Sequence, residues 1–254
     1  MTSFSSAWFV RGSKPSAPRI RLFCFPYAGG SASIYRRWGE VLNDIDVCAV
    51  QLPGHGSRFR ERPLNDVSEL VAELAGAVQP HLGLPFAFFG HSMGALVAFE
   101  LARELRRRRW KEPVLLFVSA CRALQDPVDG EPISYLPDTE FISEIRKLYS
   151  GIPDEVMAAP EFLAMMLPAL RADMRILESY RYSEEAPLDC SISCFGGNQD
   201  SHVSPQSLGT WREQTQNAFS LRLFPGGHFF IDSDRATVLQ AIAEDLQPWK
   251  TRSA

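Results

Sequence analysis

Six short runs, at residues 19–25, 46–52, 86–89, 113–119, 189–195 and 219–224, are rich in β-branched and aromatic residues, and several are apolar at consecutive positions. Strands buried on both faces have that pattern, because neither face meets water. Between them, residues 34–42, 67–82, 93–107, 206–216 and 236–249 have helical character, the second of these bounded by Asp66 before it and Gly83 after it. Strands alternating with helices predict an α/β fold in which a mostly parallel central sheet is flanked by helices on both faces.

The spacing of the runs adds an insertion to this picture. Most crossovers occupy about 20 to 35 residues, but about 70 separate Ser119 from Asp189, twice what one helix and its loops need. Within that stretch Asp138 suits the N-cap of a helix over 139–149 with Gly151 beyond it, and residues 160–180 are expected to be helical, broken or kinked near Pro168. Phe162, Met165, Met166, Leu170, Met174 and Leu177 make a helical stripe. Residues 122–186 are therefore expected to form a helical lid between two parts of one core, 1–121 and 187–254. Met165, Met166 and Met174 are expected to line a site for an apolar chain, methionine being an adaptable lining residue.

Composition narrows the function classes. The 254 residues are 45% hydrophobic and 22% charged, with a net charge of −4, which argues against a nucleic-acid partner. No apolar run approaches the length of a membrane span. The N-terminus lacks a basic segment followed by a long apolar one, so a cytoplasmic location is the expectation; the oligomeric state is open, with a monomer as the default. Five cysteines without C-x-x-C spacing fit small core residues in a reducing compartment better than a metal site or disulfides. The basic run 106–111 ends a helix, where cations suit the dipole.

The chemistry starts at Gly90-His91-Ser92-Met93-Gly94. A G-x-S-x-G match arises by chance in roughly one chain of this length in ten, so its context decides. Here an apolar strand runs into the motif and a strongly helical segment leaves it, which puts Ser92 on the sharp strand-to-helix turn of a nucleophile elbow. Glycines at 90 and 94 let strand and helix approach, and the helix N-terminus points N–H groups toward the serine.

A serine hydroxyl needs a base within hydrogen-bond reach. Of the five histidines, His91 adjoins Ser92 and should point elsewhere, His81 ends a helix and His55 lies in the loop 52–56. His228, in Phe224-Pro-Gly-Gly-His-Phe-Phe, stands where a strand stops at the rim of the sheet and is the expected base, with His202 as the alternative. Asp200, in the loop after the strand at 189–195, is the expected acid, in the chain order serine, acid, histidine; Asp173 and Asp189 are poorer candidates. For the oxyanion, Met93 supplies one backbone N–H, and the glycine-rich loop 25–31 offers a second from Ala28 or Tyr27.

The motifs F-P-Y-A-G-G at 25–30, Q-L-P-G-H-G at 51–56, G-H-S-M-G at 90–94, L-R-A-D-M at 170–174 and G-G-H-F-F at 226–230 together resemble the type II thioesterases of nonribosomal peptide and polyketide synthases, over nearly the whole chain. The resemblance implies an α/β-hydrolase fold and a stand-alone editing enzyme that hydrolyses acyl groups from the phosphopantetheine arm of carrier proteins, without metal or organic cofactor. It implies Ser92 as nucleophile, Asp200 as acid, His228 as base, and Ala28 and Met93 as oxyanion donors, with Tyr27 near the substrate. The same fold serves medium-chain fatty acyl thioesterases, esterases and acyltransferases, and a triad alone does not choose among them.

Overall fold

A computed structural model of the protein describes residues 7–12, 15–126, 130–149 and 160–251. Its strands are β1 (Phe9–Arg11), β2 (Ile20–Phe25), β3 (Ile45–Val50), β4 (Phe86–His91), β5 (Leu115–Ser119), β6 (Ser191–Gly197) and β7 (Phe219–Phe224). They form one sheet in the order β1-β3-β2-β4-β5-β6-β7. All neighbours pair in parallel except β1, which runs antiparallel to β3 with Phe9 opposite Val50. The mostly parallel α/β sheet read from the pattern is thus present, with β1 added at one edge.

The helices are α1 (Trp38–Val41), α2 (Val67–Val78), α3 (Met93–Arg107), α4 (Asp138–Tyr149), α5 (Pro160–Ser179), α6 (Pro205–Gly209), α7 (Phe230–Ser233) and α8 (Arg235–Thr251). Alternate side chains of a strand leave opposite faces, and β2 shows the consequence. Phe23 and Phe25 enter one apolar cluster with Leu70 and Leu74 of α2 and Leu96 and Phe99 of α3. Leu22 and Cys24 enter another with Trp38 of α1 and Val238 and Ile242 of α8. Consecutive apolar residues in β2 and β4 therefore serve two cores, one on each face.

Several predicted helices are subdivided. The stretch 34–42 is a 3₁₀ turn, Ala32–Tyr35, followed by α1, and 206–216 is α6 followed by a 3₁₀ turn, Thr210–Gln214. The carboxylate of Asp66 accepts the Glu69 N–H at 2.9 Å and so caps α2. Pro168 lies inside α5, which runs through it without a break.

Between β5 and β6, α4 and α5 pack on each other through Phe141, Ile145, Leu167, Leu170 and Met174, a small cluster distinct from the two main cores. Asp138 is the first residue of α4, and its carboxylate takes Arg171 of α5 at 2.6 Å. Glu178 of α5 accepts the N–H groups of Ile133 and Ser134 at 2.7 and 3.0 Å, tying down the strap before α4. Gly151 and the side chain of Phe162 lie outside the described residues.

The basic run at the end of α3 has internal work. Arg103, Arg106 and Arg107 converge on Glu185 at 2.8, 2.9 and 3.3 Å, and Arg106 also donates to the carbonyls of Ala186 and Pro187. The segment leading into β6 is thereby held against α3. All five cysteines are free thiols, four of them buried, and burial pushes Cys48, Cys121 and Cys190 up to about 12. Among the described residues no helix is long and apolar enough to cross a membrane.

Candidate active site at the carboxyl ends of the strands

Four loops that leave the carboxyl ends of parallel strands carry the predicted site. Ser92 follows β4, the loop 26–31 follows β2, Asp200 follows β6 and His228 follows β7. In register, Phe25 of β2 lies beside Gly90 of β4, and His91 beside Ser119 of β5.

Ser92 has φ 53° and ψ −118°, a region that side-chain-bearing residues rarely enter and that costs on the order of 1–3 kcal/mol. Its N–H is fixed by the Ser119 carbonyl at 2.8 Å, and its carbonyl accepts the Ala95 N–H at 2.9 Å, the first turn of α3. A β-carbon at Gly90 would overlap the backbone of Gly94, and one at Gly94 would overlap the Phe25 carbonyl. Only hydrogens at both positions let β4, α3 and the end of β2 meet closely enough to hold the strained serine, which is half-buried. Met93, whose amide is the predicted oxyanion donor, is the first residue of α3 and fully buried.

Asp200 and His228 form a pair. Their loops are laced by backbone bonds, Asn198 N–H to the Phe224 carbonyl and Gln199 N–H to the Gly226 carbonyl, each 2.9 Å. The result places Asp200 Oδ2 2.8 Å from His228 Nδ1. The other oxygen, Oδ1, accepts the His202 N–H at 2.9 Å. Burial pushes the Asp200 carboxyl up, but the bond and charge of His228, with the backbone amides of His202 and Val203, outweigh it and hold the group below its ordinary value. His202 thus meets the acid through its backbone, and its side chain is exposed. An ionised carboxylate on Nδ1 orients the ring so that Nε2 is the atom available to exchange a proton.

His91, expected to point elsewhere than Ser92, is fully buried, and it packs where the sequence gives no hint. Its Nδ1 lies 2.8 Å from Ser119 Oγ, and its ring contacts those of His228 and Tyr27 at centroid distances of 5.5 and 5.7 Å. Burial first, then the charge of His228, hold it well below the usual imidazole range. Tyr27 also meets Phe229 at 5.0 Å; burial, reinforced by Asp232, raises its hydroxyl to about 12, so it is a neutral donor.

The loop after β2 is a tight turn. Gly30 N–H bonds the Tyr27 carbonyl at 2.8 Å, and Gly29 has φ +74°, the conformation of the third position of a type II turn, which favours glycine. Ala28 packs against both the α3 side of the core and the α4–α5 cluster. Of the predicted lining methionines, Met174 is buried in the α4–α5 cluster next to Ala28, Met166 is half-buried, and Met165 is 43% exposed and outside that cluster. The face of α5 turned inward carries Leu167, Leu170, Asp173 and Met174. Leu170 and Met174 of the predicted stripe lie on that face, with the buried carboxylate of Asp173 between them.

One pairing of two buried residues escaped the sequence reading. His55 and Asp173 meet at 2.8 Å, although they are 118 residues apart and neither neighbours a predicted catalytic residue in sequence.

A model of the thioesterase domain family matches residues 20–249. The gramicidin S biosynthesis protein GrsT of Aneurinibacillus migulanus is 43% identical over 94% of each chain. RedJ, a thioesterase from the prodiginine pathway of Streptomyces coelicolor, superposes with a TM-score of 0.85 at 39% identity, covering 93% of this chain and 91% of that one. BorB, a type II thioesterase from the borrelidin cluster, gives 0.84 at 35% identity over 96% and 97%. The sheet and its flanking helices are those of the α/β-hydrolase fold.

Proposed function

This chain belongs to the thioesterase family, and from that premise we propose that it is a type II thioesterase that hydrolyses acyl groups from the phosphopantetheine arm of carrier proteins in a nonribosomal peptide or polyketide pathway. The observation that carries the reading is the buried His228–Asp200 pair at 2.8 Å, set against the ring of His91, the residue just before the strained Ser92. Similarity to GrsT, RedJ and BorB supports the substrate class.

In the proposed reaction Ser92 Oγ attacks the thioester carbonyl as its proton passes to His228 Nε2. The carbonyl oxygen becomes an oxyanion that accepts the N–H groups of Ala28 and Met93. Collapse breaks the carbon–sulfur bond, and the departing pantetheine sulfur takes the proton from His228, which returns the imidazole to its basic form; a thiol of pKa about 8.5 is a good leaving group. Water then attacks the acyl-serine while His228 takes its proton, and the second collapse returns that proton to Ser92 and releases the acid. Asp200 holds the imidazole and stabilises its cationic form in both halves. The scheme uses no metal or organic cofactor. α4 and α5, packed beside Ala28, form the lid over the acyl chain, with Met174 in its lining.

A panel of acyl-carrier proteins, from acetyl to long chain, followed by intact mass tests this. Loss of the acyl mass from the carrier with release of free acid is expected, and is abolished in Ser92→Ala. Persistence of the acyl group, or its appearance on another acceptor, would overturn hydrolytic editing.

A further inference from the structure

The His55–Asp173 pair lies outside the proposed catalytic groups, yet it joins three segments around them. Both residues are buried, at 5% and 1% exposure. His55 Nδ1 is 2.9 Å from the Pro53 carbonyl, and Nε2 is 2.8 Å from Asp173 Oδ2. A carbonyl oxygen only accepts, so Nδ1 carries a proton. Nε2 then faces a carboxyl oxygen, and that short gap must hold a second proton. Imidazole is ordinarily the stronger base, so the pair is an imidazolium beside a carboxylate. Burial alone would lower the His55 pKa; the charge and bond of Asp173, with the Pro53 carbonyl, outweigh it and raise it.

The same Asp173 Oδ2 accepts the Gly29 N–H at 2.7 Å. One helical turn earlier on α5, Leu170 sits where a β-carbon on Gly29 would touch it, at 3.1 Å. The Ala28–Gly29 peptide is the central peptide of the Tyr27–Gly30 turn, the unit whose flip distinguishes a type II from a type I turn. An acceptor fixed on Gly29 N–H selects one orientation of that peptide and so anchors Ala28 from its carbonyl side; the Ala28 N–H itself belongs to the preceding Tyr27–Ala28 peptide, which the anchored turn holds in place. The loop that supplies His55 is itself joined to the same region, because Gln51 Oε1 accepts the Ala32 N–H at 3.3 Å and Gln51 Nε2 donates to the His55 carbonyl at 2.7 Å.

We infer that Asp173, ion-paired to His55, is a positioning residue for thioester hydrolysis: by accepting the Gly29 N–H it holds the Tyr27–Gly30 turn with the Ala28 N–H aimed at the oxyanion, and it couples that turn to the lid helix α5. The inference rests on the reading of Ala28 as an oxyanion donor. Asp173 does not touch the reacting atoms, so its effect is on the geometry of a group that does.

The test compares Asp173→Ala with Asp173→Asn, whose amide oxygen, placed where Oδ2 stands, can still accept both the Gly29 N–H and an N–H from His55 Nε2. The substrate is an acyl-carrier protein, and the probe is a trifluoromethyl ketone analogue of the acyl chain, whose carbonyl adds Ser92 Oγ to give a hemiketal oxyanion. Losing one oxyanion donor outright lowers turnover about a hundred- to a thousand-fold. Asp173→Ala is expected to lower kcat at least about tenfold toward that limit, to change KM little, and to weaken the ketone in proportion to kcat/KM. Asp173→Asn is expected to recover most of both. Wild-type kcat and ketone affinity in Asp173→Ala, or lost turnover with undiminished ketone affinity, would overturn the inference. Should Asp173→Ala not fold, ¹⁵N NMR of His55 in the wild-type protein decides: both ring nitrogens protonated at pH 7 supports the ion pair, and a neutral tautomer sinks it. Failure of the underlying reading shows separately, as turnover that survives Ser92→Ala or a ketone that forms no adduct with Ser92.

Discussion

The imidazole of His91 lies against that of His228, with centroids 5.5 Å apart and planes inclined at 64°. Two cationic rings at that separation, away from water, would repel strongly. Burial and the charge of His228 both disfavour a proton on His91, so it stays neutral and leaves the cationic state to the ring bound to Asp200. A single histidine should therefore govern the acid limb of the pH profile. In kcat/KM against pH, the limb is expected to fall about tenfold per pH unit in both the wild type and His91→Asn. A limb twice as steep in the wild type that relaxes in the variant would show that His91 titrates with its neighbour.

Ser92 is held at φ 53°, ψ −118°, where glycine is unstrained and other residues are not. Ser92→Gly should therefore gain stability while losing all turnover. Relief of about 1–3 kcal/mol of strain, less about 0.5–1 kcal/mol for the extra freedom of an unfolded glycine, leaves a net gain of about 1 kcal/mol. Urea denaturation of the two proteins measures it. A destabilised Ser92→Gly would mean that the turn is not strained.

Much of this was legible because the physics was local. β2, β4 and β5 are buried on both faces, so their apolar runs could not be mistaken for loops, and Gly90 and Gly94 flank Ser92 for a steric reason visible in five residues. β1 was not legible: three residues, Phe9 to Arg11, carry no periodicity, and the strand exists because the edge of β3 is there to pair with. Nor could Pro168 reveal that α5 continues through it. Asp173 was weighed only as a rival catalytic acid and His55 only as a loop residue. Their pairing is a property of the folded chain, since a carboxylate on the inner face of an apolar helix becomes tolerable only when a distant imidazole and a loop amide arrive to meet it.

Asp200→Asn keeps the shape of the acid and removes its charge. The amide cannot stabilise an imidazolium and presents N–H to Nδ1 in one of its orientations, which favours the wrong tautomer. A drop in kcat of about four orders of magnitude is expected, the cost of the same change in a serine protease triad. Stability should shift as well. The folded pKa of Asp200 is depressed, so its contribution is full above the unfolded carboxylate value of about 3.9 and is lost as pH falls through the folded value. The wild type should exceed Asp200→Asn in urea midpoint at pH 7, with the gap closing at the acid end. A gap independent of pH would show that the stabilisation is not carried by the charge.

His55 gives the opposite sign. Its folded pKa is raised, so the stability contributed by the pair is fully present below the unfolded imidazole value of about 6.5 and is lost as pH rises through the folded value. Above that value the proton between Nε2 and Asp173 Oδ2 is gone, and two acceptors face each other at a distance of 2.8 Å. Replacing His55 by Gln removes the cation from a buried pair, a change that typically costs about 3–5 kcal/mol because the partner charge is left behind. Part of that cost depends on the proton. The gap in urea midpoint between wild type and His55→Gln should be widest near pH 6 and should shrink toward pH 9, as the wild type loses the same cation by titration. A gap that held constant or widened with pH would mean that the second proton is absent at neutral pH, and that Asp173 holds the Gly29 amide without an imidazolium behind it.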